Sequence, residues 1–150
     1  MYSKEAASKL RQQFWTKFGQ YMKPVPGAGD EIVNWLNYKT GNRHILFRMD
    51  ANKQHAFIAI EIRHPLDSER INYYDQFIAL KTLFKNETGF DWDWQSDAVD
   101  DNGQMISRIS QTLENINVLN EMDWPGIITF LKPRIMSLDA FWYLVKDGFE

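Results

Sequence analysis

Between Arg43 and His64 the chain alternates apolar and polar positions twice, with a polar interruption at ANKQ. This pattern predicts two antiparallel strands joined as a β-hairpin. Ile45, Phe47 and Met49 point one way, and Ala56, Ile58, Ile60 and Ile62 must point with them if the apolar sets are to share a core. Opposed residues of an antiparallel pair lie on one face, so this demand fixes the parity of the register. The simplest register opposes Asp50 to His55, Arg48 to Phe57, Leu46 to Ala59 and His44 to Glu61. One face of the hairpin is then aliphatic, and the other mixes aromatic, basic and acidic groups.

Other elements follow from the same reading. Ser3 caps a first helix in which Leu10, Phe14, Phe18 and Met22 recur at spacings of four. The prolines and glycines of KPVPGAGD end it. Ile32 to Tyr38 is predicted as a strand that turns at Lys39-Thr40-Gly41-Asn42 into the hairpin, completing a three-stranded meander. Its register places Trp35 and Asn37 on the mixed face. After Pro65, Asp67 or Ser68 opens a second helix, with Ile71, Tyr74, Phe77, Ile78, Leu80 and Phe84 on its apolar side and Gly89 as its stop. DWDWQSDA and QMISRISQTL flank Asn102-Gly103, a strong two-residue turn signal, and form a second hairpin opposing Asp97 to Arg108 and Trp94 to Gln111. Asp123 caps a last helix whose period runs from Trp124 to Val145, across Pro133, where a kink or split is expected. The expected fold is therefore α+β in the order αβββαββα. Its antiparallel sheet has about five strands, with helices mainly on one face. Whether the two hairpins share one sheet is left open by the pattern.

Composition narrows the function classes. The chain has 150 residues, enough for a single domain spanning 1–150 that buries a sizeable core. It has no cysteine, which excludes disulfide scaffolds, thiolate metal sites and cysteine nucleophiles. No apolar run approaches a membrane span, so a cytoplasmic protein without membrane contact is expected. The net charge of -3 argues against a general polyanion binder. Charge is nevertheless uneven, with five Lys/Arg against two acids from Lys39 to Arg63, and six acids without a base from Glu87 to Asp101. Such asymmetry marks either a bipolar surface or two solvated regions.

Three constellations suggest chemistry. Asp50 with Glu61-Ile62-Arg63 resembles the Asp and Glu-x-Lys of metal-dependent nucleases, whose carboxylates hold Mg²⁺. The expected register separates these acids by about 20 Å at ~3.3 Å per residue, and Arg63 does not readily give up a proton. His44 opposite Glu61 has the form of an acid/base dyad, or equally of an ordinary cross-strand pair. A metal site from His44, His55 and Glu61 fails because His55 lies at the other end of the hairpin. No phosphate loop or nucleophile elbow is present, and no cofactor or metal is expected. The mixed face is the binding candidate. Trp35, Leu46 and Ala59 form an apolar row, bordered by Asn37, His44 and Glu61 on one side and by Arg48 and Phe57 on the other, with Arg63 close by. Such a face suits a small ligand or peptide, or stacked unpaired bases, unless the last helix or a second subunit covers it.

Several segments together carry a family resemblance: Phe14-Trp15, Asn34-Trp35, Asn37-Tyr38-Lys39-Thr40-Gly41, Phe47-Arg48-Met49-Asp50, Glu61, Asp123-Trp124-Pro125 and Phe141-Trp142. Over nearly its whole length the chain resembles the bacterial family known as domain of unknown function 4268. In longer relatives, the resemblance implies, a similar module follows an amino-terminal domain that looks like a restriction-type nuclease. That context implies an accessory role near nucleic acid or in defence. The sequence departs from that pattern by having no such amino-terminal half, which weighs further against nuclease activity. The first expectation is a non-enzymatic binding or interaction domain that meets a protein partner or another copy of itself, with nucleic acid as a weaker partner. The alternative is a divergent or degenerate nuclease-related domain with Asp50, Glu61 and Arg63 as its remnant.

Overall fold

A computed structural model describes residues 2–89 and 91–149. Its elements are helix α1 (Lys4–Met22), strands β1 (Ile45–Ala51) and β2 (His55–Ile62), helices α2 (Asp67–Ala79) and α3 (Lys81–Thr88), strands β3 (Asp93–Val99) and β4 (Met105–Glu114), and helix α4 (Trp124–Val145). The four strands form one antiparallel sheet in the order β1-β2-β4-β3. The fold is α+β. Both hairpins share the sheet, and β2 and β4 are its central strands.

The parity expected of the first hairpin is present. Ile45 pairs with Ile62, Phe47 with Ile60 and Met49 with Ile58, and these side chains join the apolar core with residues of α1, α2, α3 and α4. The register itself is shifted by two residues from the expected one: Asp50 faces Phe57, Arg48 faces Ala59, and Leu46 faces Glu61. The cause is Asn52. Its Oδ1 accepts the N–H groups of Gln54 and His55 at 2.8 and 2.9 Å, and its own N–H donates to the His55 carbonyl. This side-chain turn lets Lys53-Gln54 close the hairpin, where the sequence pattern suggested a longer loop.

The predicted strand over Ile32 to Tyr38 does not form, so the described residues make four strands rather than about five. Residues 23–44 instead run irregularly over the helical side of the molecule. Trp35 is buried, and its indole N–H donates to the Val25 carbonyl at 2.9 Å, while Ile32 lies in solvent. Asp139 on α4 ties the segment down: its carboxylate accepts the Tyr38 hydroxyl at 2.5 Å and the Ala28 N–H at 2.7 Å. Burial, then this hydrogen bond, raise the Tyr38 pKa well above its ordinary value. Trp142 adds a bond from its indole to the Thr40 carbonyl at 2.7 Å. Trp92 and Trp124, also buried, likewise donate to Thr88 and Val118. Each of these indoles contributes apolar area while its N–H satisfies a polar group beside the core.

The remaining differences are local. α1 starts as expected, with Ser3 Oγ accepting the Ala6 N–H, and α3 ends at Gly89 in the left-handed region at φ 71°. The expected second helix is divided at Leu80 into α2 and α3. Asp123 does not cap α4 by its side chain, which instead accepts the Asn117 N–H. α4 runs unbroken past Pro133. In the second hairpin Asp100 rather than Asp101 closes the turn, leaving three loop residues with Gly103 at φ 79°. This turn moves the pairing by one residue and the break between Gln95 and Ala98 moves it by one more, so Trp94 faces Ile109, and Gln95 rather than Asp97 faces Arg108. A register irregularity between Gln95 and Ala98 turns Asp97 to the buried Arg70 of α2, whose guanidinium also holds Ser96 O and Ser107 Oγ.

Replacing Asp139 by Asn keeps one acceptor and sets an NH₂ group against one of two donors, at a cost of about 1–3 kcal/mol. Hydrogen exchange should show amides of residues 27–40 opening faster in this variant while β2 and β4 stay protected. Uniform acceleration along the chain would show that the segment is not held separately.

Candidate functional site

With the helices packed on the aliphatic side, the other side of the sheet carries rows of side chains set by the two registers. One row reads Leu46, Glu61, Arg108, Gln95; the next reads Arg48, Ala59, Ser110, Asp93; a third reads Asp50, Phe57, Thr112. The middle row has only a methyl and a hydroxymethyl at its centre, so the face dips between its charged ends. A polar groove of about 440 Å³ occupies this dip, lined among others by Arg48, Asp50, Phe57, Asp93, Arg108 and Ser110. Arg48 lies over the Phe57 ring at 5.3 Å.

Glu61 anchors the polar side of the groove. Its side chain is 1% exposed and three guanidinium groups surround it: Arg63 at 2.8 Å, Arg48 at 3.5 Å and Arg108 at 3.7 Å. Arg48 reaches on to Asp50 at 3.4 Å, and Arg63 to Asp100 at 2.5 Å. A carboxylate this deeply buried persists because it is paired on both oxygens. Arg63, then the N–H groups of Gln104 and Asn102, hold the Asp100 carboxyl below the ordinary aspartate range.

Of the residues expected at the site, Arg48, Phe57, Glu61 and Arg63 come together. Trp35, Asn37 and His44 do not. Trp35 is in the core, because the strand expected to carry it is absent. Asn37 borders a separate cavity of about 290 Å³ on the helical side, beside Tyr38 and Asp139. His44 faces Arg63 rather than Glu61: its Nδ1 lies 3.0 Å from the Arg63 carbonyl, and its ring lies 4.2 Å from that of His64 with the two planes tilted by 40°. The expected His44–Glu61 pair is therefore not made. Asp50 and Glu61 stand four positions apart along the hairpin and are bridged by Arg48. Among the described residues no group of three or more His, Cys, Asp or Glu is arranged to hold a metal ion. No helix among them is long and apolar enough to cross a membrane.

Arg108, Asp93, Ser110 and Asp100 were not singled out from the sequence. The expected second hairpin opposes Arg108 to Asp97, and only the pairing of β2 with β4 brings it to Glu61.

Residues 10–146 match the family described as domain of unknown function (DUF4268). The chain belongs to this family. No curated protein and no solved structure matches it. In this DUF4268 chain the residues that carry the resemblance serve two ends. Trp35, Tyr38, Trp124 and Trp142 hold irregular segments to the core, whereas Arg48, Asp50 and Glu61 belong to the open face.

Two outcomes test the ion cluster. Glu61→Gln leaves three arginines without their shared charge. Breaking a buried pair costs roughly 3–5 kcal/mol, and the partial exposure of the arginines reduces this to about 2 kcal/mol in urea unfolding. A loss below about 0.5 kcal/mol would show that the cluster does not contribute to stability. Asp100 has a depressed folded pKa, so its contribution is complete above the unfolded value near pH ~4 and disappears as pH falls through the lower folded value. Asp100→Asn should therefore flatten stability against pH below about pH 4; an unchanged acid limb counts against the Arg63–Asp100 pair.

Proposed function

We propose that this chain is a binding module whose open sheet face receives an extended segment of a partner polypeptide, and that it does no chemistry on it. The observation carrying this reading is the groove itself: the helices cover the opposite face, and the groove places charged, hydrogen-bonding and aromatic groups around a low centre. Recognition sites combine a shaped surface with a few fixed polar groups, and the ion pairs around Glu61 fix these. Acids and bases alternate across the rows, which suits a polypeptide carrying both charges better than a polyanion. Arg48 and Arg63 are paired with Asp50, Glu61 and Asp100, Arg108 has only the 3.7 Å contact with Glu61, and Asp93 and Asp101 add negative charge to the groove.

Selection of displayed peptides, with a random single-stranded oligonucleotide pool run in parallel, tests the reading. Peptides should be enriched on the wild-type chain and lost on a Ser110→Trp variant that fills the groove and keeps a folded spectrum. Peptides that bind both proteins equally would place recognition elsewhere. Oligonucleotide enrichment that falls steeply with salt would replace the polypeptide with nucleic acid.

A further inference from the structure

The ion cluster leaves one guanidinium unsatisfied. Arg63 makes two hydrogen bonds to Glu61 Oε1 and one to Asp100, and Arg48 divides its fork between Glu61 Oε2 and Asp50. Arg108 is left with Glu61 Oε2 at 3.7 Å, beyond hydrogen-bond range. That contact is made by its Nε, which is buried and has no hydrogen-bond partner among the described residues, so the donors left for a ligand are the two terminal nitrogens. No hydrogen bond from its terminal nitrogens is made within the described residues either, and the side chain lines the groove. A guanidinium carries five donors in a rigid plane, and with the side chain 24% exposed its terminal nitrogens are open to a group entering the groove.

We infer that Arg108 is the anchor of the groove and takes the carboxylate of an acidic side chain from the bound polypeptide. The inference rests on the binding reading above and names the group recognised. A planar carboxylate matches the fork with two parallel hydrogen bonds. Its carbon stem would cross the low centre at Ala59 and Ser110 toward Phe57, the neighbouring rows of the face. The acids lining the same groove, Asp50, Asp93 and Asp101, repel any anion, but they repel a phosphate dianion or a continuous nucleic-acid backbone more strongly than a single carboxylate, because the repulsion grows with the charge brought in. They favour basic residues or backbone N–H groups on either side of the acidic one. The recognised segment is therefore an acidic residue with basic neighbours.

The test uses the whole chain, with the Nε–H resonances of its arginines followed by NMR. The probes are N-acetyl-glutamate methylamide, its glutamine analogue and inorganic phosphate. The glutamate probe should move the Arg108 Nε–H and the Ser110 and Gln95 amides, the glutamine analogue should not, and phosphate should compete weakly. Arg108→Gln should reduce glutamate binding roughly tenfold or more, as loss of a charge-assisted pair requires, with the remaining amide spectrum unchanged. Arg108→Lys, which keeps the charge but loses the fork, should bind less tightly than wild type. Equal shifts from the glutamine analogue would overturn the carboxylate assignment while leaving the groove as a binding site. Stronger binding of phosphate would overturn the anion class. No response at Arg108 to any probe would remove the anchor, and the peptide selection would then decide the binding reading by itself.

Discussion

The register between β1 and β2 is the constraint on which the open face depends, and one side chain sets it. Alternation in the sequence decides that Ile58 and Ile60 look inward, but it leaves any even shift free. Asn52 removes that freedom by accepting two backbone N–H groups at the turn. With Leu46 rather than His44 opposite Glu61, the acid meets no histidine. It becomes instead the shared counter-charge of guanidinium groups from β1, from Arg63 just past β2, and from β4. A shift of two residues therefore separates an acid/base pair from a fixed ion cluster.

Much of the helical framework was legible because its signals are local. Ser3, Gly89 and the fourfold spacing of Leu10, Phe14, Phe18 and Met22 each report on a few neighbouring residues. The inward set of β2 was legible for the same reason. The segment from Ile32 to Tyr38 was misread because its alternation resembles a strand, whereas the bonds that shape it come from Val25 and from residues more than a hundred positions away. At the candidate site, Arg48, Phe57, Glu61 and Arg63 were legible from one hairpin. Arg108 and Asp100 were not, since nothing in either hairpin's pattern says that β2 lies beside β4.

The two sides of the sheet are built on different principles. On the helical side, aromatic and aliphatic groups fill space and buried indoles satisfy polar groups that would otherwise be orphaned. The open side has small residues at its low centre and a buried carboxylate to one side, so charge and not volume determines what surrounds the groove. Burial of Glu61 makes that arrangement rigid: the neighbouring arginines cannot leave without exposing an uncompensated charge. Rigidity of this kind reduces the ordering that a bound segment must supply.

The bonds from Ala28 to Asp139 and from Trp142 to Thr40 span 111 and 102 residues. They make the first third of the chain wait for the last helix. During synthesis both hairpins can emerge and pair while residues 23–44 still lack the carboxylate and indole that hold them. A nascent chain stalled before α4 would therefore carry a sheet whose aliphatic side is only partly covered, the form most in need of a chaperone.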